Sequence, residues 1–305
     1  IDTDLTGILL NAADKERRFI TTLKSEDIRV SEDGVPQQIT TFERETDLPL
    51  SLAFLVDTSA SQEAVLEEEQ SAANIFIDSV LRPQKDTAAV VSFTGEPKLE
   101  QTLTGDRAQL HAAIGRVKVE FSADSPECNH PDDPFSEQYR LRCSTGIWDS
   151  IWATVNELLS KTPERTRRAL ILLTDGDDTS SKTSKGDAFD FAVRHNAVIY
   201  SIGIRDESFK YGGSLKRDDL RKVSERTGGR AFFPKNRAEL DAAFAQINQE
   251  LRTQYLVAYA PTNRKRDGSL RKILIEVVNP ALRREKLRLQ YRQSYYAKTA
   301  ARPGG

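Results

Sequence analysis

The sequence contains no methionine, two cysteines and three histidines among its 305 residues, and it lacks any long apolar run. Its apolar stretches, such as 53–56 and 169–173, are much shorter than the ~18 residues that a membrane-spanning helix needs. We therefore expect no membrane span. Lys and Arg number 44 against 46 Asp and Glu. This balance lacks the positive excess that is typical of nucleic-acid-binding proteins, so we expect no nucleic acid partner.

Sequence motifs of common enzyme classes are also missing. There is no Gly-x-Ser-x-Gly segment of the kind that serine hydrolases use, and no glycine-rich phosphate loop. Ser59 stands where an aspartate-based phosphotransferase would need a second Asp, and none of the three histidines neighbours a Ser or Cys in a motif. We therefore predict that the chain is not an enzyme. A metal-dependent hydrolase is the remaining catalytic alternative.

The two cysteines, Cys128 and Cys143, flank a loop that is rich in Pro, Asp and Ser. This arrangement predicts a local disulfide, which would stabilise the fold by ~3 kcal/mol and would indicate an oxidising compartment. Two alternatives stay open. The thiols are unpaired, or they form a zinc site with His130 and either Asp132 or Asp133.

The pattern of apolar residues changes along the chain. Residues 1–47 resemble strands, and 48–252 alternate short apolar runs with segments of helical periodicity. Residues 253–298 return to strand patterns, and we expect 299–305 to form a disordered tail. The alternation over 48–252 predicts a doubly wound α/β domain with a mostly parallel sheet.

The two β segments, 1–47 and 253–298, each contain too few strands to be stable alone. Residues 1–47 carry 11 acidic and 6 basic side chains, whereas residues 262–298 carry 11 basic and 3 acidic ones. We therefore predict that they form one small β-sandwich, with the α/β domain inserted between them in the sequence. The alternative is two separate β appendages.

Oxygen-bearing side chains follow two of the predicted buried strands. The strand at 50–56 leads into Asp-Thr-Ser-Ala-Ser at 57–61, and the strand at 169–174 leads into Asp-Gly-Asp-Asp at 175–178. Because the carboxyl ends of parallel strands meet at one edge of the sheet, these groups should lie together. Hard oxygen ligands suit Mg²⁺, Mn²⁺ or Ca²⁺.

Simpler roles for the same residues stay open. The polar side chains of 57–61 are favoured helix caps, so the alternative is that they cap a helix beginning near Gln62. We expect Asp177 and Asp178 to be solvated rather than to be metal ligands. The run of three glutamates at 67–69 is expected to lie on an exposed helix face.

The arrangement resembles the von Willebrand factor A domain, whose metal-ion-dependent adhesion site combines Asp-x-Ser-x-Ser with a distant Thr and a distant Asp. The matching residues are Asp57, Ser59, Ser61, Thr145 and Asp175. Ser144 competes with Thr145 for the threonine position. The resemblance implies that serine hydroxyls coordinate a divalent cation, and we expect Mg²⁺, with Ca²⁺ and Mn²⁺ as alternatives. It also implies an open coordination position for an Asp or Glu of a partner.

The flanking segments 19–34 and 255–296 resemble a bacterial von Willebrand factor A-related family, familiar from acidobacteria, whose members are generally exported. The chain starts at Ile1, so we expect either a processed mature protein or a trimmed chain. Because members of this family are generally exported, we expect the protein to act in the periplasm or outside the cell, after removal of a signal peptide. The resemblance implies metal-dependent binding of a protein or peptide. The alternative is a structural module of a cell-envelope assembly with a vestigial or purely stabilising metal.

Overall fold

The computed structural model describes residues 5–16, 18–45, 47–119, 144–204 and 215–299. The chain divides into two compact units. The base unit comprises Ile1–Asp47, Glu225–Gly229 and Gln249–Gly305, and the α/β unit comprises Leu48–Ser224 and Arg230–Asn248. No helix in these described ranges has the length and apolar character to cross a membrane.

Strands and helices follow one another in an order close to the predicted one. The strands are β1 (Thr6–Ala13), β2 (Ile28–Glu32), β3 (Val35–Gln37), β4 (Ile39–Glu45), β5 (Leu50–Asp57), β6 (Thr87–Phe93), β7 (Pro97–Thr104), β8 (Arg167–Thr174), β9 (Ala197–Gly203), β10 (Ala231–Phe232), β11 (Gln254–Tyr259), β12 (Leu270–Val277), β13 (Arg288–Tyr291) and β14 (Ser294–Tyr296). The α-helices are α1 (Leu66–Val80), α2 (Arg107–Arg116), α3 (Ile147–Glu157), α4 (Lys185–Arg194), α5 (Arg217–Thr227), α6 (Arg237–Arg252) and α7 (Pro280–Arg284).

The α/β unit is built on a six-stranded sheet in the order β10-β9-β8-β5-β6-β7. All neighbouring pairs are parallel except β6 and the edge strand β7. Every residue of β5 is buried, as expected for a strand that is covered on both faces. On one of these faces, Phe76 of α1 packs edge-on against Phe54. The predicted doubly wound α/β fold with a mostly parallel sheet is therefore confirmed.

The middle of this sheet is the point where the strand order reverses. The chain passes from β5 to β6 on one side, and later returns to β8 on the other side of β5. Val56 pairs with Leu173 of β8, and Asp57 pairs with Phe93 of β6. The loops after these three strands consequently leave the same edge of the sheet, where doubly wound proteins bind ligands.

The base unit is a sandwich of two antiparallel sheets, in the orders β13-β1-β11-β4 and β14-β12-β2-β3. Each sheet combines strands from both ends of the sequence. Alternate residues of β12 are buried, and they meet inward side chains of the other sheet, such as Leu10 and Val257, in one apolar core. The predicted shared β-sandwich is confirmed, and the alternative of two separate appendages is wrong.

A buried polar cluster connects the two sheets of the base unit. One carboxylate oxygen of Glu32 accepts hydrogen bonds from the hydroxyls of Tyr259, at 2.9 Å, and Tyr295, at 2.7 Å. The other oxygen accepts from the guanidinium of Arg271 at 3.2 Å. Since Tyr259 lies on β11 and the other three residues lie on β2, β12 and β14, these hydrogen bonds hold the two sheets together.

Several predictions fall on residues that the structure does not describe. Cys128, His130, Asp132, Asp133 and Cys143 all lie outside the described residues. The disulfide and its two alternatives therefore stay predictions. Residues 300–305 of the predicted tail are also outside the described part, whereas Thr299 forms a β-bridge with Asp267.

Candidate metal centre

Asp57 ends the central strand of the α/β unit, and its side chain is completely buried. One carboxylate oxygen accepts a hydrogen bond from the hydroxyl of Thr174 at 2.6 Å. The other accepts from the backbone N–H of Ser59 at 2.9 Å. These two bonds fix the carboxylate between the loop after β5 and the end of β8.

The turn after β8 places the second aspartate of the motif. Thr174 accepts a hydrogen bond from the N–H of Gly176 at 3.0 Å, so one hydroxyl joins this turn to Asp57. Gly176 has a φ of 83°, a left-handed conformation that glycine adopts without strain. A carboxylate oxygen of Asp175 accepts from the N–H of Asp177 at 3.1 Å. The sheet thus brings Asp57 and Asp175 close enough for their charges to interact.

The two serines of the motif lie side by side. Their hydroxyl oxygens are 3.1 Å apart, and the side-chain amide of Gln62 lies 3.4 Å from the hydroxyl of Ser61. Neither serine caps α1, which starts at Leu66 and has no side-chain cap. The hydroxyl of Ser59 also makes no cap bond to the short 3₁₀ helix Ala60–Gln62. The capping interpretation is therefore wrong, and the hydroxyls have no structural role in starting a helix.

Thr145 lies on a third loop, which hydrogen bonds join to the other loops of this edge. Its N–H donates to the hydroxyl of Thr179 at 2.8 Å, and its carbonyl accepts from the N–H of Thr179 at 2.8 Å. Next to it, Gly146 donates to the carbonyl of Thr94, after β6, at 2.7 Å. A Cβ on Gly146 would lie 2.5 Å from a backbone oxygen, so this approach requires glycine. Ser144 and Thr145 are both buried, so burial does not distinguish between them.

Asp178 was expected to be solvated, and this expectation is wrong. Its carboxylate accepts hydrogen bonds from the N–H of Ile147 at 2.7 Å and from the hydroxyl of Ser181 at 2.5 Å. The hydroxyl of Ser181 in turn accepts from the N–H of Trp148 at 3.0 Å. These groups satisfy the free amides at the start of α3, a role for which Asp and Ser are well suited.

Glu69 is the clearest departure from the sequence interpretation. Glu67 and Glu68 are exposed as predicted, but Glu69 is only 1% exposed. Neither of its carboxylate oxygens has a hydrogen-bond partner in the described part of the chain. A signal for this was present in the sequence, because position 69 falls three residues after Leu66 and four before Ala73, on the apolar face of α1.

The buried carboxylates affect one another electrostatically. Burial, and then the negative charge of Asp175, raise the pKa of Asp57 to about 7. Burial is also the main cause that raises the pKa of Glu69 well above its usual value, and the charges of Asp57 and Asp175 act in the same direction. The charges that act on these two acids are negative, so the described residues leave a local excess of negative charge at this edge.

This donor set fits a hard divalent cation. Two aspartates, two adjacent hydroxyls and unpartnered oxygens on Glu69 and Gln62 lie around one edge of the sheet. Within the described ranges, no three His, Cys, Asp or Glu side chains converge as a metal-binding group. Hydroxyls and water would therefore have to complete the coordination, as Mg²⁺ and Ca²⁺ allow. The oxygen-only donors do not favour a soft metal.

Comparison with known sequences supports the predicted family. A family model for the von Willebrand factor type A domain matches residues 52–129, which include the first motif of the candidate centre. Among curated protein sequences, the comparison finds no match.

Comparison with solved structures supports the fold. BatB from Bacteroides thetaiotaomicron is 15% identical, with a TM-score of 0.50, and the match covers 67% of this chain and 100% of that one. Proximal thread matrix protein 1 from the mussel byssus, with a zinc-occupied MIDAS motif, is 17% identical, with a TM-score of 0.54 over 72% of this chain and 50% of that one. The family model and the shared fold together confirm that this chain resembles the von Willebrand factor type A family, while the narrower bacterial subfamily stays a prediction.

Proposed function

We propose that the chain is a metal-dependent binding module, which uses a divalent cation to capture a protein or peptide ligand through an Asp or Glu side chain. The main support is the arrangement of Asp57 and Asp175 beside the paired hydroxyls of Ser59 and Ser61. These oxygens share one edge of the sheet, and the hydroxyls do not cap a helix.

The proposed ligand set is the one that the family resemblance implies. Its members are Asp57, Ser59, Ser61, Thr145 and Asp175. Neutral hydroxyls compensate less of the cation's charge than carboxylates do. An ion that they hold therefore keeps a strong attraction for an incoming carboxylate. This charge distribution favours the binding of an acidic ligand.

We assign Mg²⁺ as the cation, with Ca²⁺ and Mn²⁺ as alternatives, because oxygen donors are typical of these ions. The mussel protein carries zinc at its MIDAS motif, and this supports a cation at the corresponding edge of the fold. We also place the module outside the cytoplasm. The predicted bond between Cys128 and Cys143 supports this location, because disulfides persist in oxidising compartments.

A peptide array tests the proposed function. Pairs of otherwise identical peptides, with Asp or Glu in one member and Asn or Gln in the other, are probed with the full chain in Mg²⁺ or in EDTA. We expect binding to acidic members in Mg²⁺ only, and its loss in the Asp57→Ala variant. Asp177→Ala is the matched control, since the side chain of Asp177 is half-exposed and forms a 3.5 Å ion pair with Lys216.

Two results would contradict the proposal. Binding that persists in EDTA would show that the metal is not required for ligand capture. Metal binding without any preference for acidic peptides would favour the alternative, a structural module whose cation only stabilises the fold. Turnover of any peptide during the assay would instead support the hydrolase alternative.

A further inference from the structure

The candidate centre contains more negative charge than its five proposed ligands require. Glu69 adds a third carboxylate, on the first turn of the helix that follows the Asp-x-Ser-x-Ser loop. It is 1% exposed, and neither of its oxygens has a hydrogen-bond or ion-pair partner among the described residues. The motif of the family does not include this position.

Building on the proposed function, we propose that Glu69 is a further residue of the metal centre, an outer carboxylate that holds the cation through water and strengthens its binding. The first argument is energetic. Removing a carboxylate from water is unfavourable by several kcal/mol unless an opposite charge compensates it. No cationic side chain in the described part of the chain pairs with Glu69, so its ionised form would need a bound cation to compensate it.

The second argument is the position of Glu69. Its side chain is close enough to interact electrostatically with both Asp57 and Asp175, which lie at the ends of neighbouring strands of the sheet. On α1 it lies between Leu66 and Ala73 on the buried face, where an apolar residue would pack without any penalty. A glutamate on this apolar face, close to two other acids, is explained by a shared cation.

The third argument concerns the distance from the ion. Because no three acidic side chains converge as direct ligands in the described ranges, Glu69 is assigned to the outer sphere. Mg²⁺ retains several waters when proteins bind it, and such waters donate hydrogen bonds to nearby oxygens. The side-chain oxygen of Gln62, fully buried and also without a partner among the described residues, is a second acceptor for such water. Outer groups of this kind orient and strengthen metal sites.

Calorimetric titration of the full chain with Mg²⁺ tests the assignment. We expect Glu69→Gln to weaken Mg²⁺ binding roughly 10–100-fold, the usual effect of losing an outer-sphere partner. Glu67→Gln is the matched control, because it removes the same charge from an exposed position of the same helix, and it should bind Mg²⁺ as the wild type does. Glu69→Asp, which keeps the charge, should lie between wild type and Glu69→Gln.

Thermal unfolding of the same variants in EDTA shows whether they fold. Glu69→Gln should be at least as stable as the wild type without metal, because it removes an uncompensated acid, and Mg²⁺ should raise its unfolding temperature less. Unchanged Mg²⁺ affinity in Glu69→Gln would overturn this inference, while loss of binding in Asp57→Ala would leave the proposed function standing. A wild-type chain that binds no divalent cation would overturn both.

Discussion

Two glutamates are almost equally buried in the two units of this protein, but their surroundings are opposite. Glu32 in the base unit is 2% exposed and accepts hydrogen bonds from two tyrosines and an arginine. Glu69 in the α/β unit is 1% exposed and has no partner among the described residues. The same side chain therefore has hydrogen-bond partners in one unit and is a buried acid without a described partner in the other.

The difference separates a region that stabilises the fold from the edge of the sheet that we propose binds a cation. In the base unit, the protein itself supplies the partners of the buried carboxylate. In the α/β unit, three buried acids surround one edge of the sheet, and their charges repel. The described residues supply no partner for the carboxylate of Glu69, and the divalent cation that we propose has a charge that would compensate it.

Removing Glu32 should have the largest effect on stability. In Glu32→Ala, the hydroxyls of Tyr259 and Tyr295 lose their acceptor, and the buried guanidinium of Arg271 loses its carboxylate partner. We expect a loss of about 3–5 kcal/mol, as is typical when one partner of a buried pair is removed. Urea unfolding followed by circular dichroism measures it. Glu43→Ala, at an exposed position of β4, is the control. Equal stability of the two variants would show that the cluster is dispensable.

The pH dependence of the stability of the metal-free protein tests the buried acids of the α/β unit. The folded pKa of Asp57, about 7, lies above its usual value of 3.8. The folded state therefore holds a proton more tightly than the unfolded chain does. This stabilisation is complete below the unfolded pKa and is lost as the pH rises through the folded pKa. The loss from Asp57 alone is on the order of 4 kcal/mol.

Unfolding in EDTA across this pH range measures the loss, and Asp57→Asn should flatten the profile. Saturating Mg²⁺ should restore stability at high pH in the wild type only, because a ligand that binds the folded state stabilises it. A wild-type profile that matches the profile of the Asp57→Asn variant would mean that folding does not raise the pKa of Asp57.

The hydroxyl of Thr174 donates a hydrogen bond that stabilises the buried carboxylate of Asp57. Thr174→Val keeps the shape but removes the 2.6 Å bond to Asp57 and the 3.0 Å bond from Gly176. We expect a loss of about 1–3 kcal/mol, because two buried groups become unpaired. Chemical unfolding in EDTA measures this loss. Thr102→Val, at an exposed position of β7, should change stability little. Equal effects of the two substitutions would show that the bond is unimportant.

Asp178 is an intermediate case, a half-buried carboxylate whose partners are backbone amides of α3 and the hydroxyl of Ser181. Asp178→Ala should lower the stability by about 1 kcal/mol, the usual effect of losing a helix cap. Thermal unfolding compares it with Asp177→Ala, its neighbour outside the cap. If Asp177→Ala is the more harmful change, the capping role is wrong.

The fold class was accessible from the sequence because its elements are strongly patterned. The apolar run at 50–56 and the apolar face of α1 can each be identified from a short stretch of sequence. The glycine of the turn after β8, Gly176, has the left-handed conformation that its place in a tight turn suggests. The shared sandwich was predictable from incomplete strand sets at both ends. Which strands pair, such as β1 with β11, depends on contacts that no local pattern encodes.

The candidate site was only partly predictable. Asp57 and Asp175 follow apolar strands, so topology alone brings them together. The prediction for Glu69 was wrong because three consecutive glutamates look like a solvated face, and only the helical phase shows that one of them points inwards. The prediction for Asp178 was wrong because its amide partners at 147–148 are distant in the sequence.

The pairing of the sandwich also determines the order in which the chain can fold during synthesis. β1 pairs with β11 and β13, and β2 pairs with β12, so strands from the start of the chain wait for strands from its end. The central strands β5 to β9 are all complete by residue 203. The α/β unit ends at Asn248, so it can fold before β11 and the later strands of the base unit have been synthesised. The first strands meanwhile keep unpaired edges, which makes them the part of the nascent chain most in need of protection from aggregation.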